Sequence, residues 1–329
     1  MVRWGVIGCG GIASMFMSSM KAAEGGHVLA CASRDCSRAE QFASAHNIKT
    51  AYSDYNALMV NPDIDAIYIA TTHNAHYENV RACLQAGKHV LCEKPITVNA
   101  LQAERLYSLA RDNNVLLVEA VWTRFLPAIT ALKEALTRGV IGEVVSLNAT
   151  FAITGDFSNS HRLKHLATAG GSLLDLGIYP ITMAYIVFGE APSTIKSSVV
   201  IGDTGVDERA FILLDYPQNR HAHLTCSFSH HLPTEAIIGG SLGFIRVPNF
   251  LGAKSFSIHK SGHTAETFEY PFSDDQNFTP EIEAFHRDIA NQRIESLQLS
   301  AKESVSVMAT MDTLRAQWGL QYASDIEAL

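Results

Sequence analysis

Gly8-Cys9-Gly10-Gly11-Ile12-Ala13 follows a short apolar run, Trp4–Ile7, and reads G-x-G-x-x-A. Glycines at these places let a backbone turn tightly and come close to a pyrophosphate. A helix opening just after them offers free N–H groups and the positive end of its dipole. The chemistry implied is dinucleotide binding, with Gly8, Gly10, Gly11, Ile12 and Ala13 at the contact. A glycine turn that binds nothing is the alternative. The position of this loop, after a strand and before a helix in an alternating chain, is the context a true site requires. The end of the second strand decides which dinucleotide binds, because an Asp or Glu about 20 residues on would hold a ribose 2′-hydroxyl. The chain there reads Ala32-Ser33-Arg34-Asp35, with Arg38 one turn later. A hydroxyl and two guanidinium groups suit a 2′-phosphate, so Ser33, Arg34 and Arg38 favour NADP over NAD. Asp35 is the competing ribose ligand, but it comes two residues late, and its other role is to cap the next helix.

Metal chemistry is weighed because the chain has 14 histidines. His73-x-x-His76 and His221-x-His223 have ligand-like spacing, but neither has a clear third ligand and there is no H-E-x-x-H. No metal is expected. The cysteines Cys9, Cys31, Cys36, Cys83, Cys92 and Cys226 form no C-x-x-C pair. Their apolar neighbours make them buried free thiols, which fits a reducing cytoplasm.

These residues need elements to hold them. Val2–Ile7, His27–Ser33, Ala66–Ala70, His89–Leu91 and Val115–Val118 read as short strands, apolar on both faces as in a buried parallel sheet. Between them, Ile12–Ala22, Ser37–His46, Ala75–Ala86 and Leu101–Asp112 read as helices. Alternation of this kind implies a doubly wound α/β domain. After Val121 the pattern changes. A helix at Ala128–Arg138 leads to a long strand, Glu143–Ile153. In His221–Ser229, Ala222, Leu224, Cys226 and Phe228 alternate with polar residues, the period of a strand with one buried face. Further strands are expected near Ile195–Ile201, Ala210–Asp215, Ile237–Gly239 and Phe244–Val247. Helices are expected at Leu173–Phe188, Pro280–Ile289 and Lys302–Leu320. The fold class expected is α/β: an N-terminal doubly wound parallel sheet over 1–121, then an α+β domain over 122–329 with an open, mainly antiparallel sheet.

With 329 residues, 47% hydrophobic and 18% charged, the chain is an ordinary globular protein of about two domains. A net charge of −8 argues against a nucleic-acid surface, which needs a basic face. The first apolar run is broken by glycines at 5, 8, 10 and 11, unlike a signal peptide. Leu176–Phe188 is too short to span a bilayer. No membrane or nucleic-acid partner is therefore expected.

Glu93-Lys94-Pro95, just after the strand His89–Leu91, together with the glycine loop, resembles the Gfo/Idh/MocA oxidoreductases. Thr71-Thr72-His73-Asn74-Ala75-His76 is similar to that family's T-P-N-x-x-H, with His73 where proline is usual. Gly170-Gly171-Ser172-Leu173-Leu174-Asp175-Leu176-Gly177-Ile178-Tyr179-Pro180 is similar to its glycine-pair, aspartate motif. Histidine is commoner than Tyr179 four residues after the aspartate. That departure, the run Glu119 to Pro127, Asp156-Phe157 and His161-Arg162-Leu163 all resemble the subgroup of dimeric dihydrodiol dehydrogenases and NADP-dependent D-xylose dehydrogenases.

The resemblance implies that Thr71, Asn74, His76, Glu93 and Lys94 lie at the cofactor, and that Lys94 also lies near the reacting hydroxyl. It implies Tyr179 as the acid/base. The physical case agrees: a free tyrosine, with a pKa of about 10, is a poor base at neutral pH, and a nearby ammonium favours phenolate. His76 is the alternative base, since imidazole titrates near neutrality. Asp175, one turn before Tyr179, would bind substrate or cap the helix. Trp122 and Phe125 would stack on a ring-shaped substrate or fill the domain junction, and Phe151 is a further candidate for the substrate pocket. Arg124 and Arg162 would bind substrate or cofactor, or pair with acids. The function implied is hydride transfer between NADP and a hydroxyl carbon of a small cyclic polyol, a D-xylose-like pyranose or a trans-dihydrodiol. A keto-sugar reductase and a non-catalytic sensor of the same fold are the alternatives. A homodimer through the open sheet is expected.

Overall fold

The computed structural model describes residues 1–155, 157–159 and 161–325. Asp156 of the Asp156-Phe157 pair lies outside them. The chain clusters into two compact units. The first holds Met1–Thr97, Leu101–Trp122 and Ser273–Ser304, and the second holds Val98–Ala100, Thr123–Phe272 and the chain from Val305 on.

In the first unit, β1 (Val2–Ile7), α1 (Gly11–Met20), β2 (Gly26–Ala32), α2 (Cys36–His46), β3 (Thr50–Tyr52), α3 (Tyr55–Met59), β4 (Ala66–Ile69), α4 (His76–Gln85), β5 (His89–Glu93), α5 (Ala100–Asp112) and β6 (Leu117–Ala120) alternate. The six strands pair in the order β3-β2-β1-β4-β5-β6, all parallel. β4 and β6 are buried at every position, which is why they read as unbroken apolar runs. The order reverses beside β1, and ligands in such sheets bind outside the carboxyl ends of the strands at that switch.

The second unit holds α6 (Pro127–Thr137), β7 (Val144–Ala152), α7 (Ile178–Phe188), β8 (Thr194–Ile201), β9 (Asp207–Tyr216), β10 (Arg220–Ser227), β11 (Glu235–Gly240), β12 (Gly243–Pro248), β13 (Ser255–Lys260) and β14 (Glu266–Glu269). Its eight-stranded sheet has the order β14-β13-β12-β11-β7-β10-β9-β8. Every neighbouring pair is antiparallel except β7 with β10, which is parallel. On β10, Ala222, Leu224 and Cys226 are buried while His223 is exposed, as period two requires. Helices α8 (Thr279–Ala290) and α9 (Ala301–Trp318) close the chain.

Four expectations need correcting. The division at 121/122 is not contiguous, because residues 273–304 return to the first unit. The cause is aromatic: the buried Trp4 indole donates to His286 Nε2 at 2.8 Å and packs 4.9 Å from Phe285, both on α8. The expected helix 173–188 is two pieces, a π-helical turn at Leu173–Gly177 and then α7. Pro180 has no N–H with which to continue an ordinary ladder back through that turn. β3, α3 and β14 are too short to show periodicity, whereas β13, absent from the expected strands, alternates buried Phe256 and Ile258 with Ser255 and Ser257. Cys36 is exposed at the start of α2, and Cys9 is half-buried; the other four cysteines are buried. Residues 166–188 are long and apolar enough to cross a membrane, yet 83% of the window is buried within the fold.

Candidate active site

The dinucleotide loop begins where β1 ends. Gly8 donates to Ala32 O at 3.0 Å and sits at φ +95°, a conformation that glycine tolerates. A Cβ there would lie 2.5 Å from Ala70 O. Gly10 and Gly11 differ, because a Cβ on either would meet nothing within 4 Å. The loop surface is open where a pyrophosphate would approach. Gly10 caps α1 without a side-chain hydrogen bond, and no acidic residue occupies the first turn, which includes Ile12 and the buried Ala13. The N-terminal N–H groups thus face no competing anion of their own helix, and the cradle fits a dinucleotide phosphate.

At the end of β2, Asp35 accepts from Arg38 N at 3.2 Å and caps α2. Asp35 N donates to Ser33 Oγ at 3.3 Å. The carboxylate is therefore turned to its own helix, while Arg34 and Arg38 are exposed beside it.

The ends of β4 and β5 meet through His76. Its ring is fully buried, with Nδ1 2.7 Å from Pro95 O and Nε2 3.1 Å from Thr71 O. A backbone carbonyl therefore stands at each ring nitrogen, and His76 lies between the two loops. Thr71 also accepts from Asn79 Nδ2 at 3.3 Å, and Thr72 Oγ1 donates to Asn74 Oδ1 at 2.8 Å. Glu93 accepts from Tyr68 Oη at 2.5 Å and from Lys94 N at 3.3 Å. Lys94 follows, half-buried, and its peptide bond to Pro95 is cis. Ile96 N donates to Glu119 Oε1 at 2.9 Å. Burial pushes the Glu119 carboxyl up to about 7, against the hydrogen bond from Ile96 and the charge of Lys94. Trp122 is 8% exposed and packs 5.7 Å from Phe278, so most of its ring fills the core.

The second unit gathers Arg124, Phe151, Arg162, Asp175 and Tyr179. Tyr179 is 6% exposed and meets Phe151 edge-on at 5.8 Å. Arg162 Nη2 lies 3.7 Å from Asp175 Oδ1, and Arg124 is buried. The glycine pair is explained by its neighbours: a Cβ on Gly170 would lie 2.5 Å from Leu163 O, and one on Gly171 would strike the Asp207 carboxylate. Asp207 accepts from Ser172 Oγ at 2.8 Å and from Leu173 N at 2.6 Å. Phe157 packs 4.9 Å from Phe228. His221 Nδ1 is hydrogen-bonded to Asp215 Oδ1 at 2.9 Å on the outer sheet face.

Sequence reasoning assigned no role to Glu119, Asp207 or Glu281. Glu281 is fully buried, and burial and Glu93 together hold its carboxyl well above the ordinary range. No spacing rule marks an isolated acid that becomes buried only when a strand docks.

Residues 2–120 match the model for an oxidoreductase family with an NAD-binding Rossmann fold, and residues 129–246 match the Gfo/Idh/MocA C-terminal domain. The chain belongs to the Gfo/Idh/MocA oxidoreductase family. Within it, the chain is 42% identical over 250 residues to mouse trans-1,2-dihydrobenzene-1,2-diol dehydrogenase, covering 75% of this chain and 74% of that one. The bovine protein of that name is 33% identical over 333 residues, or 98% of this chain and 99% of its own. Among solved structures, a 3-ketoreductase from Actinomadura kijaniata in complex with NADP and TDP-benzene superposes with a TM-score of 0.85 at 30% identity, covering 96% and 97%.

Proposed function

We propose that the chain is an NADP-dependent dehydrogenase acting on a hydroxyl carbon of a small cyclic polyol, a trans-dihydrodiol or a D-xylose-like pyranose. The observation that carries this is the end-to-end similarity to trans-dihydrodiol dehydrogenases, at 97–99% of both lengths in the frog relatives. NADP rather than NAD is supported by Asp35, which caps its own helix while Arg34 and Arg38 stay exposed. The 2′-phosphate would meet Ser33, Arg34 and Arg38, and the pyrophosphate would meet Gly8, Gly10, Gly11, Ile12 and Ala13. NADP⁺, when bound, supplies the hydride acceptor.

The chain's own residues handle the proton and the orientation. Tyr179 takes the hydroxyl proton as its phenolate, and the Lys94 ammonium favours that phenolate. Asp175, held by Arg162, accepts a hydrogen bond from a neighbouring substrate hydroxyl. Phe151, edge-on to Tyr179, offers apolar surface to a ring. The loop tied by His76 fixes Lys94 through Pro95. The reductase neighbour favours a second reading, the same groups running in reverse on a keto-sugar. The outer face of the second sheet exposes Phe211 (48%) and Phe244 (40%), which supports a homodimer through that face. Six free thiols suit a reducing, cytoplasmic setting.

The test is NADPH formation from NADP⁺ with trans-dihydrodiols and pyranoses, including D-xylose, with NAD⁺ as control. Turnover with NADP⁺ on one of these classes is expected. Turnover only with a keto-sugar and NADPH would replace the first reading by the second, and NADP binding with no turnover in either direction would leave the sensor. Light scattering at micromolar concentration is expected to give twice the chain mass; a single chain mass would end the dimer.

A further inference from the structure

We propose that Asp207 is a positioning residue for this chemistry: its carboxylate grips the start of the helical segment that carries Asp175 and Tyr179. The proposal rests on the assignment of Tyr179 as acid/base. Asp207 is the first residue of β9 and is fully buried. Its Oδ2 receives both Ser172 Oγ–H at 2.8 Å and Leu173 N–H at 2.6 Å, at the first turn of the segment. Its Oδ1 is buried without a hydrogen-bond partner among the described residues. One oxygen thus does the work of a helix cap from a distant strand, where caps usually come from the preceding residue. The backbone is shaped to admit it, because Gly171 sits at φ +119° and a side chain there would strike the carboxylate. A second clasp lies beside it, since Tyr322 Oη donates to Gly170 O at 2.6 Å.

What the clasp holds explains why it bears on chemistry. The segment opens with a π-helical turn, Leu173–Gly177, rather than a regular α-helical one. Turns of this kind are rare and close fewer favourable contacts. Asp175 lies inside that turn and Tyr179 two residues beyond its end, so the direction of both side chains depends on where the turn is pinned. A displacement of about 1 Å in a catalytic group costs up to a hundredfold in rate.

The clasp also responds to protons. Burial pushes the Asp207 carboxyl up to about 7, against the hydrogen bonds from Ser172 and Leu173. The groups that face it are the Ser172 hydroxyl and Leu173 N–H, the Cys226 thiol from β10 and the Tyr322 phenol from the C-terminal segment. None of these is a cation. The adjacent Glu208 is engaged with Lys164. Loss of the proton therefore strengthens the two hydrogen bonds without recruiting a new partner.

Asp207→Asn keeps the shape and one acceptor oxygen but removes the charge. We expect kcat on the substrate identified in the panel to fall about tenfold or more, with KM for NADP within twofold. The group titrating near neutrality should vanish from the pH profile of kcat. Ser172→Ala, which removes one of the two donors, should lower kcat in smaller measure and move the neutral titration of the pH profile upward rather than abolish it, and serves if the asparagine variant does not fold. Asp207→Glu should restore the pH-dependent group in part. Amide hydrogen exchange at Leu173–Tyr179 should quicken in Asp207→Asn while the rest of the second sheet is unchanged, a readout that needs no substrate. Unchanged kcat and pH profile in Asp207→Asn, or unchanged exchange where no turnover is found, overturns the proposal. Full activity in Tyr179→Phe instead overturns the assignment beneath it.

Discussion

Glu119 in the first unit and Asp207 in the second are buried carboxyls beside a candidate site segment, and the two are held differently. Glu119, in the last-but-one place of β6, accepts from Ile96 N two residues beyond Lys94, inside a sheet where every strand runs the same way. Asp207, at the first residue of β9, accepts from Ser172 and Leu173 across the second sheet's inner face. Both are pushed up to about 7, chiefly by burial. Glu119 also feels the Lys94 charge, whereas Asp207 is met only by neutral dipoles. The contrast teaches that a parallel sheet presents its loops by topology, since all strand ends lie on one edge. An antiparallel sheet has no such edge and must fix a reactive helix by individual contacts.

The largest expected effect tests the reactive groups themselves. Lys94→Ala and Tyr179→Phe should each lower kcat by about a hundredfold or more, the scale of general acid–base catalysis. Titration with NADP should be little changed in Tyr179→Phe, which lies in the second unit. Wild-type turnover in either variant would remove the pair from the mechanism.

The glycines separate the two modes more finely. Gly10→Ala has open space around its Cβ, so the melting temperature should stay within a few degrees while NADP affinity drops tenfold or more in equilibrium titration. Gly171→Ala has φ +119° and a carboxylate in the way, so it should cost about 1–3 kcal/mol of stability by denaturant unfolding and leave NADP affinity alone. The reverse pattern would mean that the first loop is built for packing and the second for ligand.

The smallest effect is in pH dependence. A carboxyl with a raised pKa in the folded state holds its proton longer than it does in the unfolded chain. Its contribution to stability is full below about pH 4 and is lost as pH rises through about 7. Denaturant midpoints should therefore decline over that window, and Glu119→Gln should lose less than the wild type. Parallel curves for the two would place the Glu119 titration outside the window. Asp207→Asn should flatten the curve similarly.

Much of the first unit was legible in the residues. Strands buried on both faces give unbroken apolar runs, and the glycine loop has a fixed place between strand and helix. The period-two strand expected at 221–229 was equally clear and is found at Arg220–Ser227, because one face meets the core and the other does not. The return of residues 273–304 to the first unit was not legible, since the partner that draws α8 back, Trp4, lies 282 positions away from His286. The parallel pairing of β7 with β10 was hidden for the same reason. The π-helical turn could not be seen because α7, which follows it, is buried at nearly every position and carries no phase.

The sequence by itself determined where a phosphate could come close, at the glycines between a strand and a helix, and it offered Lys94 and Tyr179 as candidates through a family resemblance. The glycine loop is a local fact, set by spacing within a few residues. Only the tertiary structure decided what holds these residues. It placed His76 between two backbone carbonyls, gave Asp35 to its own helix, and set Asp207 beneath Leu173. Burial and long-range hydrogen bonds create those roles, and both come into being only when distant strands dock.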